Sequence, residues 1–405
     1  MSLSNIIIVC DFGYIEGGAS KVAITSAVHL SNLYNVTFFC GSAVTDETIK
    51  NSNLKVVSIN NSDILHDSNR LRAFRNGLWN KNAYQSLNDL LEKYSPTDTI
   101  VHVHSYTKIL SPSIFKVLSK HVHNVVITLH DYFQICANGG LFNYKELTKC
   151  HIKPQSFRCI MCNCDSRKYI HKLWRCVRLT IQQKNVKNIK NLNFVYISKL
   201  NQQLLSPYLD TISQSSRIIK NPIDINIKHL ADVKNNSAYI YMGRICEEKG
   251  VRLFCEVIHS LKLNAIVIGD GPCKQELEKK YPDIQFVGWK TGLEKEKYLY
   301  QGKCLVFPSL WYEGAPLTIV EAKSYGLPCI VADDCAATED IIEGEEGYIF
   351  ESGSIESLKE AIIKMESSNE NVLQGNIIKQ FNVELYKMER YTKEVVEYYH
   401  SLLNG

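Results

Sequence analysis

Phe307-Pro-Ser-Leu-Trp-Tyr-Glu-Gly-Ala-Pro-Leu-Thr-Ile-Val-Glu321 reads as the end of a strand, a loop and the start of a helix. The apolar run Cys304–Phe307 is the strand, the loop carries Glu313, and Gly314 with Pro316 opens the helix. Proline is favoured in a first helical turn because its missing N–H has no partner there anyway. The free N–H groups and positive dipole end of such a helix form an anion site. Glu321 lies one to two turns in, and helical side chains lean back toward the N-terminus. A phosphate at this helix start would therefore have Glu313 on one side and Glu321 on the other. Carboxylates repel phosphate but accept hydrogen bonds from sugar hydroxyls, so the stretch reads as a nucleotide-sugar site. Taken alone, two solvated glutamates flanking a helix explain it as well.

Outward from this stretch the same unit recurs. Short apolar runs alternate with helical patterns: Ile6–Cys10, Val36–Cys40, Leu54–Ile59, Thr99–Val103, Val125–Leu129 and Asn193–Ile197, then Ala238–Met242, Ala265–Ile268, Ile284–Val287, Cys304–Phe307, Pro328–Val331 and Gly347–Phe350. Continuous Val- and Ile-rich runs suit parallel strands covered on both faces. Repeated strand–helix–strand units predict an α/β fold of doubly wound sheets. The series restarts near residue 238, after the polar stretch Asp232-Val-Lys-Asn-Asn-Ser237. Two Rossmann-like domains are expected, 1–232 and 233–385, with a last helix of about 386–405 packing back on the first. Ligands of such sheets bind beyond the carboxyl ends of the strands, so the two domains are expected to face each other across a cleft.

Composition narrows the class. The chain has 405 residues, enough for two domains, with 45% hydrophobic and 22% charged residues, as in a globular protein. A net charge of +4 does not call for nucleic acid, although Lys153 to Lys199 holds eleven Lys or Arg against the single acid Asp165. No apolar run approaches the length of a membrane span. The opening Met1-Ser-Leu-Ser-Asn, followed by Ile6–Cys10, reads as a buried strand rather than a secretory signal. Fourteen cysteines in that setting point to reduced thiols and a cytoplasmic location, with those in apolar strands (Cys10, Cys40, Cys304, Cys329) acting as small core residues.

Further loops fall where strands end. Tyr241-Met-Gly-Arg-Ile-Cys-Glu-Glu-Lys-Gly250 places Gly243, Arg244 and Lys249 after a strand, and a guanidinium fork with an ammonium suits a diphosphate leaving group. Val267-Ile-Gly-Asp-Gly-Pro272 is a second glycine turn but not the G-x-G-x-x-G fingerprint, which weakens a dehydrogenase reading. Asp11-Phe-Gly-Tyr-Ile-Glu-Gly-Gly-Ala-Ser-Lys21 puts Gly17 and Gly18 where a ligand could approach the backbone. Thr128-Leu-His-Asp-Tyr132 brings His130 and Asp131 to the end of another strand.

Gly17-Gly18, His130-Asp131, Asn221-Pro-Ile-Asp224, Gly243-Arg244 through Lys249-Gly250, and Glu313-x7-Glu321 occur in this order. In this the whole chain resembles the family-4 retaining glycosyltransferases of the GT-B fold, the group 1 type that builds bacterial polysaccharide and O-antigen. The resemblance implies that Arg244 and Lys249 hold the donor diphosphate and stabilise its departing charge. Glu313, with the backbone of Gly314, Ala315, Pro316 and Leu317, would hold the transferred sugar and phosphate, and Glu321 the ribose. Gly18, beside Gly17, would approach the phosphates from the other domain, His130 would sit near sugar and acceptor, and Val287-Gly-Trp-Lys290 near the base. The donor would be a UDP- or GDP-sugar and the acceptor a saccharide or a polyprenyl-linked sugar. Retention in that family needs leaving-group stabilisation more than a protein nucleophile. No Asp-x-Asp pair occurs, so no catalytic metal is expected. Two other classes share the architecture: a silent nucleotide-sugar binding protein, and a sugar-nucleotide epimerase.

Two features stand apart from the motif set. Cys136, Cys150, Cys159 and Cys162 could supply four thiolates to a structural zinc, Cys159-x2-Cys162 having the spacing of half a knuckle. The irregular spacing and a fifth cysteine, Cys164, leave free thiols as an equal alternative. Tyr169–Arg178 places Ile170, Leu173, Trp174 and Val177 on one helical stripe between Lys168, Lys172, Arg175 and Arg178. Either the stripe enters the core while the charges face water, or the basic stretch 153–199 meets a membrane surface, at the inner face of the membrane.

Overall fold

The computed structural model describes residues 3–225 and 229–404, and the chain forms two compact units. The first comprises 1–140, 151–222 and 386–405; the second comprises 141–150 and 223–385. The expected boundary at 232 thus moves back to 222. Ala231 and Val233 are buried in the second unit's core, and the Ala231 N–H donates to the Tyr325 carbonyl. The short segment 141–150, an antiparallel hairpin of Phe142–Asn143 and Thr148–Lys149, goes with the second unit although the chain around it belongs to the first.

In the first unit, β1 (Asn5–Cys10), β2 (Asn35–Cys40), β3 (Lys55–Ser58), β4 (Thr99–Val103), β5 (Asn124–Thr128), β6 (Leu192–Tyr196) and β7 (Ser215–Ile218) form one parallel sheet. The strand order is β3-β2-β1-β4-β5-β6-β7. Six of these strands match apolar runs in the sequence. The edge strand β7, Ser-Ser-Arg-Ile, is only partly buried and carries no such run. One face packs Ile6, Ile8, Phe38, Ile100 and Val126 against the helix Gly18–Leu30 and the C-terminal helix Met388–Asn404. That last helix buries Tyr391, Val395, Tyr398, Tyr399 and Leu403, the i, i+4, i+7 spacing of one helical face.

The second unit repeats the plan. Strands β8 (Ala238–Met242), β9 (Ala265–Ile268), β10 (Gln285–Gly288), β11 (Gly302–Phe307), β12 (Cys329–Ala332) and β13 (Gly347–Phe350) form a parallel sheet of order β10-β9-β8-β11-β12-β13. Alternate residues enter opposite cores, as the two-residue period of a strand requires. Tyr239, Tyr241, Val267, Cys304 and Val306 pack with the helix Val251–Leu261 on one side. Ile240, Ile266, Leu305, Cys329 and Val331 pack with the helix Leu317–Ser324 on the other.

The helix Tyr169–Val186 departs from the expected orientation in which its apolar stripe enters the core and its charges face water. Lys172 and Arg178 are buried at 1% and 4% exposure, while Ile170 and Val177 stand out at 63% and 52%. Polar partners capture the buried cations. Lys172 donates to the Cys159 carbonyl at 3.1 Å and approaches the Cys164 sulfur at 2.9 Å. Arg178 donates to the Thr107 carbonyl at 2.9 Å, between the rings of Phe133 and Trp174. Each buried charge is thus hydrogen-bonded, the condition under which burial is tolerated.

Candidate functional site

In both sheets the strand order reverses between the first strand and the fourth, the switch point where doubly wound sheets bind ligands. In the second unit the loops at that point follow β8 and β11, and they carry Gly243–Lys249 and Pro308–Pro316. The first loop ends in a single 3-10 turn, Glu247–Lys249, closed by Gly250 at φ +68°. A side chain at Gly250 would stand 1.8 Å from the Pro308 carbonyl oxygen, so only glycine lets the two loops lie this close. The Leu310 N–H donates to the Glu248 carbonyl across the same junction, at 3.0 Å.

This contact brings Lys249 and Glu313 together as an ion pair. The Ser309 hydroxyl donates to the same Glu313 carboxylate at 3.0 Å, and the Lys249 ammonium lies 4.9 Å from the centre of the Trp311 ring. The Glu313 carbonyl accepts the Ala336 N–H at 3.0 Å, which ties the loop to the end of β12. A cavity of about 240 Å³ opens here, lined among others by Gly243, Lys249, Glu313, Ala315, Pro316 and Leu317. Pro316 is the N-cap of the helix Leu317–Ser324. The cavity thus joins a cation, a carboxylate and a helix N-terminus, which favours an anion with neutral hydroxyls beside it.

Arg244 is exposed next to Gly243, and its carbonyl is fixed by the Tyr241 hydroxyl at 2.7 Å. Glu321 forms an ion pair with Lys295, on the helix Gly292–Leu299. Gly314 lies between Glu313 and the helix start, half-buried. Trp289 is 67% exposed in the turn after β10, and Gly288 holds φ +74° there. Lys295, Ser309 and Trp311 escaped the sequence reading. Ser309 and Trp311 lie inside the quoted stretch, so their position after β11 was their only signal.

The first unit is arranged on the same plan. Gly17 caps the helix Gly18–Leu30, and the Ser20 hydroxyl accepts from the N–H groups of Glu16 and Gly17 at 2.9 and 3.0 Å. A side chain built on Gly17 or Gly18 would meet nothing within 4 Å, so the backbone there borders open space. His130 follows β5 and meets His104, which follows β4: Nε2 and Nδ1 are 3.0 Å apart and the rings are stacked. His102 lies behind them, bonded to the Tyr399 hydroxyl at 2.5 Å and the Thr128 hydroxyl at 2.7 Å. Removal from water lowers the pKa of His130 to about 4 and of His102 to about 3, and pushes His104 well below its ordinary value. All three rings are neutral at pH 7. His102 and His104 also escaped the sequence reading; the signal was His-Val-His at the end of the switch-point strand.

The four cysteines of the expected zinc site, Cys136, Cys150, Cys159 and Cys162, are divided between the two units. Among the described residues no three of His, Cys, Asp or Glu are placed to hold a metal ion. Cys150 goes with the second unit, whereas Cys136, Cys159 and Cys162 belong to the first. The Cys136 thiol donates to the Asn138 side-chain oxygen at 3.0 Å, while Cys164 takes the Lys172 ammonium. No described helix is long and apolar enough to cross a membrane.

Residues 223–380 match the family model of glycosyl transferases group 1, the part that contains Arg244, Lys249, Glu313 and Glu321. The chain is 27% identical over 183 residues to the UDP-Gal:alpha-D-GlcNAc-diphosphoundecaprenol alpha-1,3-galactosyltransferase of Escherichia coli, covering 40% of this chain and 46% of that enzyme. The chain spans about half the length, or less, of the curated relatives it matches first. Among solved structures it resembles sucrose-phosphate synthase from Thermosynechococcus elongatus, with a TM-score of 0.71 and 15% identity over 99% of both chains. It also resembles Anabaena HepE in complex with UDP, with a TM-score of 0.67 and 14% identity over 98% of this chain and 100% of that one. At such identities these structures establish the fold, the two-sheet GT-B architecture.

Proposed function

We propose, from a second unit whose residues 223–380 match glycosyl transferases group 1, that this chain transfers a sugar from a nucleotide-sugar donor to a saccharide or lipid-linked acceptor in polysaccharide synthesis. The observation that carries the reading is the cavity in which Lys249 and Glu313 meet above the start of the helix Leu317–Ser324. Lys249 and Arg244 take the diphosphate, Glu313 the sugar hydroxyls, and Glu321 the ribose. As the donor bond breaks, negative charge gathers on the diphosphate. An ammonium and a helix N-terminus at the cavity, joined by the guanidinium of Arg244, would stabilise it. A protein nucleophile is not required, and the anomeric configuration is retained by departure and attack on one face. The donor base is uridine, in keeping with the UDP bound by HepE and the UDP-galactose used by the E. coli relative. That relative's diphosphoundecaprenol acceptor likewise favours a lipid-linked acceptor, with His130 assigned to the acceptor side.

A thermal-shift panel of UDP, GDP, ADP and CDP tests the reading. A ligand at 100 times its dissociation constant stabilises the native state by about 2.7 kcal/mol. UDP is expected to raise the midpoint, and Arg244→Ala to abolish the rise. A shift with GDP alone would correct the base; none with any diphosphate would refute donor binding. Product analysis then separates transfer, which makes a new glycosidic bond, from epimerisation of the donor.

A further inference from the structure

His102-Val-His104 closes β4, and residues two apart on a strand point to the same side. The two imidazoles accordingly lie together, with ring centres 4.2 Å apart. His104 also reaches His130 beyond the end of β5, its Nδ1 standing 3.0 Å from Nε2 of His130. A hydrogen bond between two ring nitrogens needs an N–H on one and a lone pair on the other. Burial holds the pKa of His130 at about 4 and that of His104 well below its ordinary value, so each ring is neutral at pH 7 and carries one proton. The roles of the two rings then depend on which nitrogen of His104 holds that proton.

The other nitrogen of His104, Nε2, is buried and meets no hydrogen-bond partner among the described residues. If His130 were the donor, His104 would accept at Nδ1 and carry its proton on Nε2, a buried N–H with nothing to receive it. Buried N–H groups without an acceptor are rarer in folded proteins than acceptors short of a donor, as backbone groups show. With the proton on Nδ1, only a lone pair at Nε2 goes unfilled, and the N–H is satisfied by His130. His102 does not compete for either proton, because its two nitrogens are taken by the hydroxyls of Tyr399 and Thr128.

We infer that His104 is a positioning residue that donates from Nδ1 to Nε2 of His130 and so fixes His130 as the Nδ1–H tautomer, a hydrogen-bond donor toward an oxygen of the bound saccharide. The identity of that ligand rests on the transfer reading above; the tautomer does not. A histidine at the end of a strand beside a hydroxyl acceptor invites the role of general base. Here the one lone pair of the neutral His130 ring is spent on His104, so His130 takes no proton from the acceptor. Its Nδ1–H is met by an oxygen lone pair, which a sugar hydroxyl supplies and an ammonium does not. His130 is partly exposed while His104 is 4% exposed, so His104 acts on a ligand through His130.

Heteronuclear NMR of the full chain with isotope-labelled histidine tests this, since a protonated ring nitrogen and a bare one resonate far apart. The His130 signals are identified by their loss in His130→Gln. In the wild type His130 is expected to be protonated at Nδ1 and bare at Nε2; the reverse pattern overturns the inference. His104→Asn keeps an amide N–H near the place of Nδ1 and is expected to preserve the tautomer. His104→Leu offers no donor and is expected to release His130 toward Nε2–H, the form a free histidine side chain prefers. An unchanged tautomer in folded His104→Leu overturns the positioning role. Should that variant not fold, the wild type and His104→Asn decide, and Nε2–H at His130 in either refutes the assignment. These spectra need no donor or acceptor, so they stand whether or not the chain proves to be a transferase. In a transfer assay His104→Leu is expected to lose about tenfold in kcat/KM, the worth of one hydrogen bond, and His104→Asn to stay within about twofold of wild type. A released tautomer with undiminished transfer overturns the donation to the saccharide.

Discussion

Lys249 and Glu313, 64 residues apart in sequence, meet as an ion pair because Gly250 lets the loops after β8 and β11 lie against each other. The pair holds the ammonium in the cavity lining, 4.9 Å from the centre of the Trp311 ring. Replacing Lys249 by alanine removes the charge aimed at the departing diphosphate. By analogy with the loss of one preorganised donor, kcat is expected to fall about 10²- to 10³-fold. Steady-state kinetics on Lys249→Ala, with circular dichroism to confirm the fold, checks this. Near-normal turnover would remove Lys249 from the reaction.

Lys295 meets the proposed site through its ion pair with Glu321. Both side chains are partly exposed, and such a pair contributes about 0.2–1 kcal/mol. Lys295→Ala is accordingly expected to raise KM for the donor by up to about fivefold while kcat stays within twofold, about what 1 kcal/mol of binding allows. A large fall in kcat with KM unchanged would argue against a positioning role.

The strain at the Lys249 loop is local and testable. Gly250→Ala forces a side chain onto the Pro308 carbonyl at a φ that alanine avoids. Backbone strain of this kind costs about 1–3 kcal/mol, and displacing Pro308 adds to it. Thermal unfolding should show a lowered midpoint, and donor binding should weaken as Lys249 leaves Glu313. An unchanged midpoint would mean that the loop relaxes freely.

In the first unit the C-terminal helix is fastened by Tyr399 to His102. Tyr399→Phe leaves the buried Nδ1 of His102 without its partner, a loss of about 1–3 kcal/mol. Denaturant titration reads it directly, and a variant as stable as the wild type would show that the hydroxyl is dispensable.

The same histidines set a pH dependence. In the folded chain His102 titrates near 3 and His130 near 4, whereas an unfolded histidine titrates near 6.5. Above pH 6.5 both states are neutral and the contribution to stability is complete. As pH falls below 6.5 the unfolded chain takes up protons that the folded chain refuses, so stability drops toward pH 4. Unfolding midpoints between pH 7 and 5 should decline with acidity, and His102→Gln should decline less steeply. Parallel slopes in the two proteins would contradict the assignment.

Most elements that position the candidate site are legible in the sequence. The runs Ala238–Met242 and Cys304–Phe307 end where the functional loops begin, and Pro316 marks the helix that follows. The edge strand β7 is not legible, since Ser-Ser-Arg-Ile has neither an apolar run nor alternation. The helix Tyr169–Val186 is legible as a helix, but its inward face is not. Its apolar stripe predicts one orientation, and hydrogen bonds from Lys172 and Arg178 to carbonyls of other segments impose another.

By itself the sequence determined the alternation of strands and helices, the restart that makes two sheets, and the loops in which Arg244, Lys249, Glu313 and His130 lie. These are local properties, encoded in periods of 2 and 3.6 residues and in the glycine and proline that end each run. Only the tertiary structure decided which of those residues meet. It paired Lys249 with Glu313, Glu321 with Lys295 and His130 with His104, and moved 141–150, with Cys150, to the second unit. Such pairings depend on loops closing over tens of residues, at a free-energy cost that grows only slowly with length. Local sequence therefore cannot select among them, and complementary packing and hydrogen bonding do.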